Sequence, residues 1–158
     1  ELLNAACQLR KGQDLSGNAL DGSPDYLVGA VIGKSPEVEI QQAVDSGADF
    51  VISPPVFSKQ SIRELRETCQ SRGIALIAKV ELLKSVGMAR YLQQHISGVS
   101  IPDGVIDRLR QANDTADECV TYAAELVKDA KNAGASGVLV CSHGWESRLF
   151  DLMTRASV

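Results

Sequence analysis

Apolar residues along this chain recur at two spacings, and each spacing predicts a type of element. Residues 1–11 place Leu2, Leu3, Ala6, Cys7 and Leu9 at helical intervals, which predicts an amphipathic helix. A polar, turn-rich stretch follows from Gly12 to Pro24. The run Tyr26–Ile32, bounded by Gly33, is continuously apolar and predicts a strand buried on both faces. Residues 36–46 return to helical spacing, with Pro36 in the first turn and Gly47 at the stop.

The same phrase then repeats. Asp49–Ser53 predicts a strand, and Ser58 caps a helix that runs to about Arg72 before Gly73. Ile74–Lys79 predicts a strand and residues 85–94 a helix, with a further helix from Pro102-Asp103 and a long one over 114–132. Gly137–Cys141 predicts the last strand and residues 145–154 the closing helix. Strands alternating with helices imply a parallel α/β sheet. Two phrases, Asp45–Ile52 and Lys131–Val140, echo one another: a helix end, a glycine, a small residue and an apolar strand. This is how a (β/α)8 TIM-type barrel turns at its stability face, and a flavodoxin-like open sheet is built of similar units.

Composition sharpens the picture. At 158 residues the chain suits one domain, and an apolar content of 44% with 23% charged residues excludes disorder. Aromatics are only 4%, with Trp145 the single tryptophan, so the core draws on Ala, Val, Leu and Ile. Roughly four βα units are present, whereas a closed barrel has eight and usually about 250 residues. Residues 1–158 are therefore expected to form one partial-barrel domain. The isolated half would leave two strand edges and an apolar face open, so pairing with another chain or with an N-terminal half is expected. The start at Glu1, without Met or leader, reads as a processed, trimmed or internal piece.

The net charge of -4 offers no footprint for nucleic acid or an anionic membrane, and no apolar run is long enough to span a bilayer. Cys7, Cys69, Cys119 and Cys141 are scattered without a C-x-x-C pair. That spacing argues against metal ligation and a disulfide framework, and for reduced thiols in a cytoplasmic setting.

Ligands of parallel α/β folds bind beyond the carboxyl ends of the strands. Those ends read Gly33-Lys34-Ser35, Ser53-Pro54-Pro55, Lys79-Val80-Glu81 and Ser142-His143-Gly144-Trp145. Lys34-Ser35 could hold a phosphate at the next helix N-terminus, or merely cap that helix. Lys79 could be a Schiff-base nucleophile, although a rim lysine paired with Glu81 is the plainer reading. His143 could shuttle a proton or bond a ligand, or be a solvated loop residue. His95 sits in an exposed polar segment. None of the Walker, G-x-G-x-x-G, H-E-x-x-H or nucleophile-elbow motifs occurs.

Several of these wordings resemble the methylenetetrahydrofolate reductase family. They are Leu9–Gly17, Gly22–Ala30, Ser46–Phe50 with Pro55-Val56-Phe57, Leu82–Leu92, Gly98–Asp103, Gly137–Val140 and Gly144-Trp145-Glu146. The resemblance implies the C-terminal half of a flavin-dependent (β/α)8 barrel of folate one-carbon metabolism. Such an enzyme passes a hydride through FAD to 5,10-methylenetetrahydrofolate, the flavin carrying the redox chemistry. It implies FAD contacts at Lys34, Ser35 and His143, and a folate-type substrate beside Ser53, Lys79 and Glu81. The family's acidic catalytic residue lies on early strands that precede these. Two positions depart from the family pattern. Pro54 stands where the family has a glutamine that bonds the pterin, and Ala43 where it has a lysine for the FAD phosphates. These departures keep a second reading in play, a non-catalytic half-barrel that binds a partner or a folate-like ligand.

Overall fold

A computed structural model describes residues 2–96 and 99–157. Glu1, at the head of the expected first helix, and Gly98, within the family-like wording, lie outside the described residues. The elements run α1 (Leu2–Arg10), β1 (Gly29–Val31), α2 (Pro36–Asp45), β2 (Phe50–Pro55), α3 (Lys59–Ser71), β3 (Ala75–Glu81), α4 (Val86–His95), α5 (Asp103–Gln111), α6 (Thr115–Asn132) and β4 (Gly137–Cys141). A single 3₁₀ turn, Glu146–Arg148, leads into α7 (Leu149–Ala156). Local chemistry accounts for the helix starts: the hydroxyl of Ser58 accepts from Ser61 N at 3.1 Å and that of Ser85 from Met88 N at 3.1 Å. The carboxylate of Asp114 does the same for Asp117 N at 3.0 Å.

All four strands are parallel and lie side by side in chain order, β1-β2-β3-β4. A doubly wound sheet reverses its strand order at a switch point, and this sheet does not. The architecture is that of a partial TIM-type barrel. One sheet face carries Ala30, Val51, Leu76, Ala78, Val80, Val138 and Val140, and these pack with Ile40, Ile62, Leu65, Val120, Val127 and Leu152 of α2, α3, α6 and α7. A second apolar cluster joins α4 and α5 to α6 through Leu83, Ala89, Ile101, Ile106, Leu109 and Cys119. Tyr122 lies between the two clusters and donates its hydroxyl to Phe57 O. Burial pushes that hydroxyl up to about 12.

The opposite face follows from the pleat. Register places Gly29 beside Phe50, Val31 beside Ile52, Ile52 beside Ile77, and Lys79 beside Leu139. Val31 is 76% exposed and Leu139 39% exposed. The expectation of a first strand buried on both faces is therefore corrected. No helix among the described residues covers this side at β1, and only Gly29–Val31 pair with β2. Large and small residues interlock across the open face. A methyl on Gly29 would fall 2.3 Å from the Phe50 ring, and one on Gly137 3.0 Å from Ile77 Cδ1.

At the amino ends of the strands, α1 is clamped to the sheet. Arg10 pairs with Asp49, whose carboxylate also accepts Val28 N at 2.7 Å, and Tyr26 donates its hydroxyl to Ala6 O at 2.6 Å. This end is structural, and the open chemistry lies at the other.

Candidate functional site

The site begins with an irregularity in β2. Pro54 and Pro55 have no amide hydrogens to donate, yet the strand continues through both. The β2–β3 register shifts between Ile52 and Pro55. Inside that shift the Ser53 hydroxyl accepts Lys79 N at 2.9 Å and donates to Pro54 O at 2.7 Å, and Val56 N then donates to Lys79 O at 2.9 Å. Ser53 is fully buried. Its hydroxyl is satisfied by backbone, and it sets where Lys79 leaves the sheet.

Lys79 and Glu81 are two residues apart on β3, so both project from the open face at the carboxyl end. The Glu81 side chain is only 4% exposed, and one of its oxygens lies 3.0 Å from Lys79 Nζ. Its other oxygen is bonded by His143 Nε2. A carboxylate oxygen in that position accepts from the ring's Nε2–H tautomer. Two consecutive left-handed residues after β4, His143 at φ 53° and Gly144 at φ 83°, turn the imidazole back onto β3. A non-glycine residue there is uncommon and costs conformational energy. The neighbours complete the rim. Cys141 is set opposite Glu81 by register, and burial, reinforced by the Glu81 charge, raises its thiol above the ordinary range. Lys84 Nζ stands over the Trp145 ring at 5.8 Å. Glu146 is held below the usual carboxylate range chiefly by the Ser142 hydroxyl, which donates to it at 2.6 Å.

The sequence-predicted residues thus divide. Lys79, Glu81 and His143 converge, with Lys79 held as an ion pair rather than as the free amine a Schiff base requires. Lys34 and Ser35 lie apart, at the start of α2. The amides of Gly33 and Ser35, which would have met a phosphate, both donate to the Glu39 carboxylate, the second at 3.0 Å. Ser35 lines a cleft of about 570 Å³ between α2 and α3, together with Pro54, Phe57, Ser58, Leu65 and Pro102. Ala43 is 2% exposed and packed in the main core.

These features decide how a flavin nucleotide fits. Its diphosphate needs backbone donors and cations. The amides at the head of α2 already serve Glu39, and Ala43 offers no charge. The residues present therefore do not form a diphosphate cradle. Among the described residues no group of three or more His, Cys, Asp and Glu side chains is arranged to hold a metal ion. Among the described residues no helix is long and apolar enough to cross a membrane.

Two participants escaped sequence reasoning. Glu39 lies one helical turn inside α2, and the i to i+4 spacing from Ser35 is the signal that points to it. Cys141 is brought to the site only by strand register. Compared with known proteins, residues 29–141, more than half of the chain, match the family model described as methylenetetrahydrofolate reductase. No curated protein matches the chain.

Proposed function

Because the chain belongs to the methylenetetrahydrofolate reductase family, we propose that it forms the C-terminal part of a barrel in folate one-carbon metabolism, where FAD-mediated hydride transfer reduces 5,10-methylenetetrahydrofolate. The observation that carries this reading is the buried Glu81 carboxylate at the carboxyl end of β3, on the open sheet face, held between Lys79 and His143. Ligands of this fold bind at that end. Lys79, Glu81 and His143 offer cationic, anionic and imidazole partners to a polar heterocycle such as a pterin, while Ser53 positions the Lys79 backbone. Pro54, in the cleft between α2 and α3, offers no hydrogen-bond donor.

The flavin supplies the redox chemistry when bound. With the amides at the head of α2 serving Glu39, Lys34 and Ser35 would not hold its diphosphate, and the strands that complete the barrel would have to supply those contacts. Those strands belong to another chain or to an N-terminal half. They cover Val31, Leu139 and their neighbours and pair with the outer edges of β1 and β4, which removes an aggregation-prone surface.

The test is to purify the chain together with the half that completes the barrel. Yellow flavin absorbance and NADH-dependent reduction of 5,10-methylenetetrahydrofolate are expected. A colourless complex that takes up no added FAD overturns the redox reading. If that complex still binds the folate, the chain is a ligand-binding member of the family. A stable, non-associating monomer of residues 1–158 overturns the partial-barrel pairing.

A further inference from the structure

We propose that Glu81 and His143 form a proton-transfer dyad, with His143 Nδ1 as the atom that exchanges a proton with a nitrogen of the bound ligand. The dyad rests on the reading of this mouth as the ligand site, but its geometry stands on the page. Glu81 is almost wholly buried and engages His143 through Nε2. The imidazole itself is 37% exposed, and Nδ1 has no protein partner among the described residues. The ring is thus fixed on one side by a carboxylate and open on the other. A carboxylate on one ring nitrogen selects the tautomer, orients the ring and favours its protonated form.

The backbone supports the same reading. His143 adopts a left-handed conformation at φ 53°, which a β-carbon resists. Here the turn aims the ring at a strand 62 residues distant in sequence. The charged and titratable groups around the ring are Lys79 and Glu81 from β3, Cys141 from β4, and Lys84 from the loop after β3, which reaches Gly144. Lys79 balances the charge of Glu81, so the pair presents the imidazole without an uncompensated buried anion.

The step balances simply. In the acid direction the neutral ring first takes a proton from the buffer at Nδ1; that Nδ1–H bond then breaks, and the proton passes to the lone pair of a ligand nitrogen. The positive charge moves with it. His143 becomes neutral while Nε2–H remains on Glu81, which neither gains nor loses a proton. Glu81 is a positioning residue, and only His143 meets the ligand.

The chain has two histidines, so a ¹⁵N-labelled sample reports His143 directly, with His95, stacked on Tyr91 at 4.5 Å between ring centroids, as an internal reference. The expected result is a neutral ring protonated at Nε2 in the unaltered chain, with the His143 ¹⁵N shifts moved in Glu81→Gln and His95 unmoved. If Glu81→Gln does not fold, Glu81→Asp is read instead, with a smaller movement of the same shifts expected. An Nδ1–H tautomer in the unaltered chain, or His143 shifts that neither folded variant moves, overturns the dyad. The functional arm is calorimetry of 5,10-methylenetetrahydrofolate binding to the chain paired with the half that completes the barrel, in two buffers of different ionisation heat. Proton uptake with the unaltered chain that disappears in His143→Gln supports transfer at Nδ1, and equal uptake in both overturns it. If the folate fails both to release heat and to perturb Trp145 fluorescence in that complex, the folate reading falls, and the ¹⁵N spectra decide the dyad by themselves.

Discussion

The Lys79 amide donates to the buried Ser53 hydroxyl at 2.9 Å, and this bond joins the proline-interrupted end of β2 to the strand that carries the site. Lys79 N takes its acceptor from a side chain where the shifted register leaves the ladder irregular. Ser53→Ala removes that acceptor, along with the donor to Pro54 O. Stranding a buried amide costs about 1–3 kcal/mol, so a loss of that size is expected in urea unfolding. Ser53→Cys keeps the volume with a weaker acceptor and is expected to fall between the two.

Lys79 and Glu81 should behave as a coupled pair. Lys79→Met leaves the Glu81 carboxylate buried with only His143 beside it. Because the lysine side chain is 29% exposed and partly screened, the expected destabilisation is about 1–2 kcal/mol, below the range for fully buried pairs. Lys79→Met/Glu81→Gln removes the stranded charge and should be more stable than the sum of the single changes implies. Chemical denaturation of the four proteins measures the coupling, and strict additivity would show that the pair contributes nothing.

Acid should loosen α7 from α6. Arg155 donates to Asp117 Oδ1 at 2.5 Å and to Asp151 Oδ1 at 3.0 Å. The first of these bonds is the main cause holding Asp117 below its ordinary value of 3.8. Since the folded value lies below the unfolded one, the contribution is fully present above about pH 4 and is lost as pH falls through the depressed value. Asp117→Asn should flatten the stability profile below pH 4 and leave its shape near neutrality unchanged. Acid-induced unfolding followed by circular dichroism checks this.

The open sheet face should reject a single methyl. At Gly29 the added carbon would lie 2.3 Å from the Phe50 ring, so the end of the Phe50 side chain must swing aside. Gly29→Ala is expected to cost about 1 kcal/mol. Gly29→Ala/Phe50→Leu should recover part of that loss. Thermal unfolding of the two variants distinguishes a local clash from a general intolerance of alanine in β1.

Much of the architecture is local and was therefore visible in the residues. Helix starts at Ser58, Ser85 and Asp114 follow from side chains capping amides three residues away, and stops at Gly47, Gly73 and Gly134 follow from their positive φ values of 82°, 68° and 79°. The position of Lys79, Glu81 and His143 at strand ends was equally legible, because parallel α/β units place ligand-facing residues there. The bonding of Ser53 was not legible for a physical reason: sequence shows a hydroxyl at a strand exit but not which backbone amide will claim it. The surroundings of Lys34 and Ser35 were hidden in the same way, since spacing does not show that the Glu39 carboxylate takes the amides at the head of α2.

By itself the sequence determined the element types, their alternation, the family and the polar rim, all of which depend on spacing within about twenty residues. Tertiary structure alone decided three things. It set the strand order without a switch point, which makes this a barrel segment rather than an open doubly wound sheet. It turned His143 through a left-handed bend onto Glu81, and it buried Ser53 in the register shift. Each depends on which distant strand becomes a neighbour, and that choice is made by packing the shared helical face into one core. Only once the strands lie side by side do residues separated by 26 and 62 positions come within hydrogen-bonding reach.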